Sequence, residues 1–309
     1  MTGILEPGQF DALARRDFGR APQAFRHTLH QRPLFDDAAL AHVLDRYPRD
    51  RLGVFTMGDD PVDWRSWRRG RAGDLPGTEL LKSVAEGRIW LNLRAANAWL
   101  EEFDALAGEM FGALQAGNPG LKTFRRDVGL LISSPGAQVF YHLDVPRVTL
   151  WHIRGRKRVW LYPARAPYVT DEALERIVLK ETAEQFDYRP DFDGAAAVFD
   201  LEPGDMLHWP QYSPHRIVNG DSVNVSLSCE FLSPAALVSA NAVYADALAR
   251  RRWGLTPKRR GAWHPASLVK FAVARTAKAM GLELSPPEPL PPSFVVDPRA
   301  PRAVGPLAG

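Results

Sequence analysis

From about Asp127 to Leu232 the chain is a succession of short apolar strands punctuated by turn signals, and this pattern constrains the fold more than anything else in the sequence. VGLLIS is followed by SPGA, QVFYHLD, TLWHI, a Gly155 turn and KRVWLYP; AAAVFDL, a Pro203-Gly204-Asp205 turn, MLHWP and SVNVSLSCEFL complete the run. Short strands at this spacing, bounded by Gly, Pro and Asp, indicate an antiparallel barrel or jelly roll. EALERIVLKETAEQF interrupts the run as a helical or irregular insert.

The flanks read differently. Asp36 or Asp37 caps a helix that places Leu40, Val43 and Leu44 on one face, and NAWLEEFDALAGEMFGALQ puts Trp99, Phe103, Leu106, Met110, Phe111 and Leu114 at helical spacing. The expected organisation is a mainly helical region over 1–125, a barrel core over 126–233, a helical region over 234–284 and a proline-rich tail over 285–309 without structure of its own. The fold class is therefore mainly β with helical flanks, a double-stranded β-helix or jelly roll.

Composition narrows the setting. Nine tryptophans are ample for a core, and a net charge of +3 over 309 residues gives no strong nucleic-acid signal. The single cysteine, Cys229, excludes an internal disulfide. No apolar run approaches the ~20 residues of a membrane span, and the N-terminus lacks the apolar core of a signal peptide. A cytoplasmic protein with no transmembrane segment is expected.

His142 and Asp144 share one face of their strand, because side chains alternate. Two such groups facing a barrel interior are costly to bury without a partner. A divalent metal is a natural one and needs a further ligand; His215, in GDMLHWPQYSPHRIVNGD, begins a strand after a turn bracketed by Pro210 and Pro214. Two histidines and one carboxylate form the ligand set of non-haem Fe(II) oxygenases, which leaves coordination positions open. A histidine in a strand is more often a packing residue, so the surrounding spacing carries the weight.

That spacing resembles the cupins. Gly136, His142 and Gly155 match the first cupin motif, and Gly204, Pro210, His215 and Asn219 match the second. Asp144 stands where cupins carry a second histidine and Val148 where they carry a glutamate. Both departures resemble the JmjC and cupin-like 2-oxoglutarate oxygenases, in particular the asparaginyl-hydroxylase-like branch. The resemblance implies Fe(II) at His142, Asp144 and His215, with 2-oxoglutarate as cosubstrate. It implies that Lys157, in RGRKRVWLYP, holds the distal carboxylate of that cosubstrate. The residues argue alike: Lys157, Val159 and Leu161 share a face, and an inward ammonium requires a counter-charge. Val139 stands where the family often has a hydroxyl, and Trp90 where it often has a tyrosine, so other donors are needed. Asn224, Ser226 and Ser228 alternate with apolar residues; they line either the pocket, with Ser228 a candidate cosubstrate contact, or the solvent face of an edge strand.

The expected function is Fe(II)- and 2-oxoglutarate-dependent hydroxylation, with a protein side chain, lipid or small metabolite as substrate. The alternative is a non-catalytic cupin-like module that binds a metal or ligand in a regulatory role. WRSWRRGR (64–71) and ARRRWGLTPKRRGAW (249–263) mix arginine with tryptophan, and the second is a candidate contact for an anionic partner. The helix in HPASLVKFAVARTAKAMG is expected to dock on the domain or to form a homodimer.

Overall fold

The computed structural model describes residues 3–182, 184–281 and 290–307. Twelve strands build the core: β1 (Gln23–Arg26), β2 (Gly53–Thr56), β3 (Arg68–Gly70), β4 (Trp90–Leu93), β5 (Phe124–Ser133), β6 (Gln138–His142), β7 (Arg147–Arg154), β8 (Lys157–Leu161), β9 (Ala197–Leu201), β10 (Asp205–His208), β11 (His215–Asn219) and β12 (Asn224–Leu232). They form two facing antiparallel sheets. The larger runs β1-β10-β7-β12-β5-β4-β2-β3 and the smaller β6-β11-β8-β9, the arrangement of a double-stranded β-helix.

Each long strand is dressed on both faces, as a sheet buried on two sides requires. In β12 the odd positions Val225, Leu227, Cys229 and Phe231 join the core beneath the helices, while Ser228 and Glu230 point into the barrel. In β7, Trp151 and Ile153 join the same outer core, and Val148 and Leu150 pack inside against Val159, Leu161 and Ile217. This settles the choice left open for β12: its small polar face is interior. Cys229, on the opposite face, is fully buried, and burial holds its thiol pKa well above the usual range.

The helices follow the spacing read from the sequence. Asp36 caps Asp37–Arg46 by accepting from the Ala39 amide at 2.8 Å, and Leu40, Val43 and Leu44 are buried. Glu101–Gly117 buries Phe103, Leu106, Met110, Phe111 and Leu114 over the large sheet. Trp99 does not belong to that face. It ends a separate short helix, is 44% exposed, and is covered by the Arg51 guanidinium at 4.4 Å from its ring.

Two expectations about the flanks need correction. The first 125 residues contribute β1 to β4 to the large sheet: β4 pairs with β5 and β1 with β10. The barrel over 126–233 is thus completed by the N-terminal region. These strands have only three or four residues each, too few for alternation to stand out, and their partners are remote in sequence.

The second correction concerns the tail. Residues 285–289, 308 and 309 lie outside the described residues, but 290–307 pack on the domain. Val295–Val296 (β13) pairs with Val304–Gly305 (β14). Phe294 is fully buried against Gly70, where an added Cβ would lie 2.4 Å from its ring. Main-chain bonds tie Ser293 to Arg69 and Val296 to Arg71. Removing everything after 289 is therefore expected to destabilise the domain, and Phe294→Ala alone should cost about 3–5 kcal/mol. Thermal denaturation of both variants checks this; an unchanged melting temperature would mean the tail contributes nothing.

At the C-terminal side, helix Pro265–Ala279 docks on helix Pro234–Trp253 through Ala274 and Ala277 against Tyr244, Ala245 and Ala247. Arg250 is an internal ion-pair partner rather than a free cation: it meets the buried Glu175 at 3.1 Å, and Arg251 meets Glu181 at 2.6 Å. Charge reversal at Arg250 would set a second carboxylate beside Glu175, so it would not leave the fold intact. No helix among the described residues is long and apolar enough to cross a membrane.

Candidate metal centre

His142 closes β6 and His215 opens β11, and the two residues face each other directly across the strand pair. Asp144 lies just beyond β6, on the same side as His142. One ligand atom from each of the three residues lies within 4.8 Å of the others, and no other such group of three occurs among the described residues. The sequence-predicted triad therefore comes together.

The hydrogen bonds around the triad set its chemistry. His142 Nδ1 lies 2.7 Å from the Phe140 carbonyl, and His215 Nδ1 lies 3.1 Å from the Ser213 carbonyl. A carbonyl only accepts, so each Nδ1 carries a proton and donates, and Nε2 is the ring nitrogen left to meet a metal. Burial and the neighbouring His142 hold the His215 pKa well below 6.5, which keeps its imidazole neutral. His215 Nε2 lies 3.4 Å from Asp144 Oδ2. Burial raises the Asp144 pKa to about 6, with His142 lowering it and Glu184 raising it. Two imidazoles with orienting carbonyl partners and one buried carboxylate form a donor set that fits a divalent first-row metal.

The other buried histidines have different roles. Burial lowers His27 to about 4 and both His152 and His208 to about 3. His152 is held between the Ser226 hydroxyl at 3.0 Å and the Gly155 carbonyl at 2.8 Å, and His208 stacks on Phe18. They are neutral packing residues.

The triad opens into a cavity of about 120 Å³. Val139, Val148, Leu150 and Ile217 give it apolar walls, and Trp90, Asn92 and Ser228 face into it from the large sheet. Ser228, the candidate cosubstrate contact, thus lines the cavity that holds the triad. Asn92 was missed by the sequence reading, although WLNL alternates and placed Trp90 on the same face. The lining also carries charge at Asp127, Glu184 and Glu230, with Arg94 at 3.3 Å from Glu230. Glu184 arrives from the insert after β8, whose main chain bonds to β6 and the residue after it through Phe186 N to Tyr141 O and Leu143 N to Glu184 O.

Lys157 faces the barrel interior with Val159 and Leu161, as expected. It does not line the cavity. In the β8–β11 register Leu161 pairs with His215, Val159 with Ile217 and Lys157 with Asn219. Lys157 is thus four residues, or about 13 Å of strand, from the level of the metal ligand. It is 6% exposed and forms no ion pair among the described residues; burial alone lowers its pKa to about 7.

Residues 82–232 match the model of the cupin-like domain family. This part of the chain is thus a cupin-like domain, and its paired sheets carry the HxD…H triad. Among solved structures it is similar to Escherichia coli YcfD, at 19% identity over 90% of this chain and 69% of that one, with a TM-score of 0.51. A second structure, of the Escherichia coli ribosomal oxygenase YcfD, gives 18% identity, 90% and 68% coverage and a TM-score of 0.51. At these identities the likeness is one of fold. No curated protein matches the chain.

Proposed function

We propose that this protein is an Fe(II)- and 2-oxoglutarate-dependent oxygenase acting as a hydroxylase. The observation that carries the reading is a pair of sites on one barrel interior. At the mouth, two imidazoles and a carboxylate converge; at the opposite end of the same face lies a buried ammonium with no counter-ion among the described residues. A ligand with carboxylates at both ends would complete each site. The shared fold with a protein described as a ribosomal oxygenase supports the class of reaction.

His142, Asp144 and His215 would hold the metal, with their other ring nitrogens fixed by Phe140 and Ser213. Bound there, iron would supply the redox chemistry that couples decarboxylation of a 2-oxo acid to oxidation of a C–H bond. Three protein donors leave the side towards the cavity open. Ser228 and Asn92 would orient the cosubstrate by hydrogen bonds, in place of the hydroxyls absent at Val139 and Trp90. The apolar walls at Val148, Leu150 and Ile217 would keep water from the cosubstrate along its length. Lys157 would neutralise the distal carboxylate.

Succinate release from 2-oxoglutarate, with Fe(II) and a reductant, tests the reading. Metal binding without succinate would instead make the protein a ligand-binding module.

The charge of Lys157 adds a pH dependence. Its pKa is depressed to about 7 in the ligand-free protein, and an adjacent carboxylate raises it. Ligand binding is then linked to proton uptake. Affinity is full below pH 7 and falls about tenfold per pH unit above it, until the pKa of the bound state is reached. Titration calorimetry of Mn(II)-loaded protein from about pH 6.5 to about pH 9 reads this slope. The slope should vanish in Lys157→Ala, and a flat wild-type profile would remove Lys157 from the site.

A further inference from the structure

On the far side of the large sheet from the metal cavity, a groove of about 530 Å³ opens beside the start of β7 and the start of helix Pro234–Trp253. Side chains alternate along β7, so Val148 and Leu150 face the cavity while Arg147 faces the groove. Arg147 is part-buried and makes no hydrogen bond or ion pair with the described residues, and its Nε is sealed from solvent without a partner. Burial lowers its pKa, and the charge of Arg20 lowers it further. A guanidinium that is desolvated, repelled by a second cation and given no anion is unfavourable until a ligand supplies one.

The rest of the groove has the same polarity. Lys122 lines it, the first turn of the 20-residue helix enters it at Pro234 and Ala235, and no Asp or Glu is among its described lining residues. A helix N-terminus adds partial positive charge. Trp263 stands on the same groove and is 64% exposed, an unusual position for an indole that only packs. Arg binds phosphate through a planar pair of donors, and an exposed indole beside cations offers a face on which any base can stack.

We propose that this groove binds a nucleoside phosphate, with the phosphate at Arg147 and Lys122 and the base against Trp263. The site is independent of the oxygenase reading, because none of its residues lines the metal cavity.

Calorimetric titration of the full chain with AMP, inorganic phosphate and a short single-stranded RNA tests it. AMP is expected to bind more tightly than inorganic phosphate. Arg147→Gln should weaken both by about tenfold or more, as loss of a charge-assisted hydrogen bond implies. Trp263→Ala should weaken AMP and leave phosphate unchanged. The two sources are told apart by the RNA: tighter, strongly salt-dependent binding of the oligomer assigns nucleic acid, and tighter AMP assigns a free nucleotide. Arg147→Gln without ligand should melt no lower than wild type, which separates a binding role from a structural one. Should that variant not fold, the exposed Lys122→Glu carries the test and should also weaken AMP. Failure of AMP and RNA to bind, equal binding of AMP and phosphate, or affinities unchanged in Arg147→Gln (or, where it does not fold, in Lys122→Glu) would each overturn the proposal.

Discussion

Asp144→Ala is expected to reduce bound Fe(II) or Mn(II) from about one per chain to almost none, with affinity falling more than about 100-fold. The expectation rests on how few donors the site has. Among the described residues only His142, Asp144 and His215 converge, so losing Asp144 leaves two imidazoles and no charge to balance a dication. Asp144 is also the ligand whose own environment opposes ionisation. Burial and Glu184 raise its pKa, which a bound cation would reverse. Without a metal the variant relieves a buried carboxylate and should fold at least as well as wild type. His142→Ala and His215→Ala are expected to lose the metal too. Metal content measured on the purified variants decides this, and wild-type content in all three would mean the triad is not the site.

Lys157→Ala is expected to raise the 2-oxoglutarate requirement by at least two orders of magnitude. Breaking a buried pair by removing the cation leaves a carboxylate uncompensated, at a cost of roughly 3–5 kcal/mol, and each 1.4 kcal/mol of that cost is about tenfold in affinity. Metal affinity should change little, because Lys157 lies four residues along β8 from the position paired with His215. The same substitution should act oppositely on the ligand-free fold. Lys157 is buried with no carboxylate paired to it among the described residues, so its removal should leave melting temperature unchanged or raised near pH 7. Its folded pKa is below the unfolded value, so the unfolded state binds more protons between about pH 7 and about pH 10. The wild type should therefore gain stability relative to Lys157→Ala as pH rises through that window. Lys157→Arg should recover only part of the binding, since a planar guanidinium replaces a compact ammonium.

The central strands and the triad were legible because both obey short-range rules. Alternation places Asp144 with His142 and Ser228 with Glu230 whatever the surrounding fold, and Pro210 and Pro214 confine His215 to the start of a strand. What was not legible depends on partners remote in sequence. β1 to β4 are strands because β10 and β5 present free edges to them, not because QAFR or GVFT has strong patterning. Phe294 is buried because Gly70 leaves room for its ring; within PPSFVVDP the only hint was an apolar triplet among prolines. Glu184 reaches the cavity because an irregular segment bonds alongside Tyr141 and Leu143, a path no local pattern encodes. Likewise Arg250 looked like a surface cation until the fold set it against Glu175.

The central claim is that one barrel interior holds a metal at His142, Asp144 and His215 and a dicarboxylate that spans from it to Lys157. Calorimetric titration of 2-oxoglutarate into the protein near pH 6.5, with and without Mn(II), measures both halves at once. Tight binding is expected only with metal present and only with Lys157 intact, so that Asp144→Ala and Lys157→Ala each abolish it. Binding that needs neither the metal nor Lys157 would contradict the account.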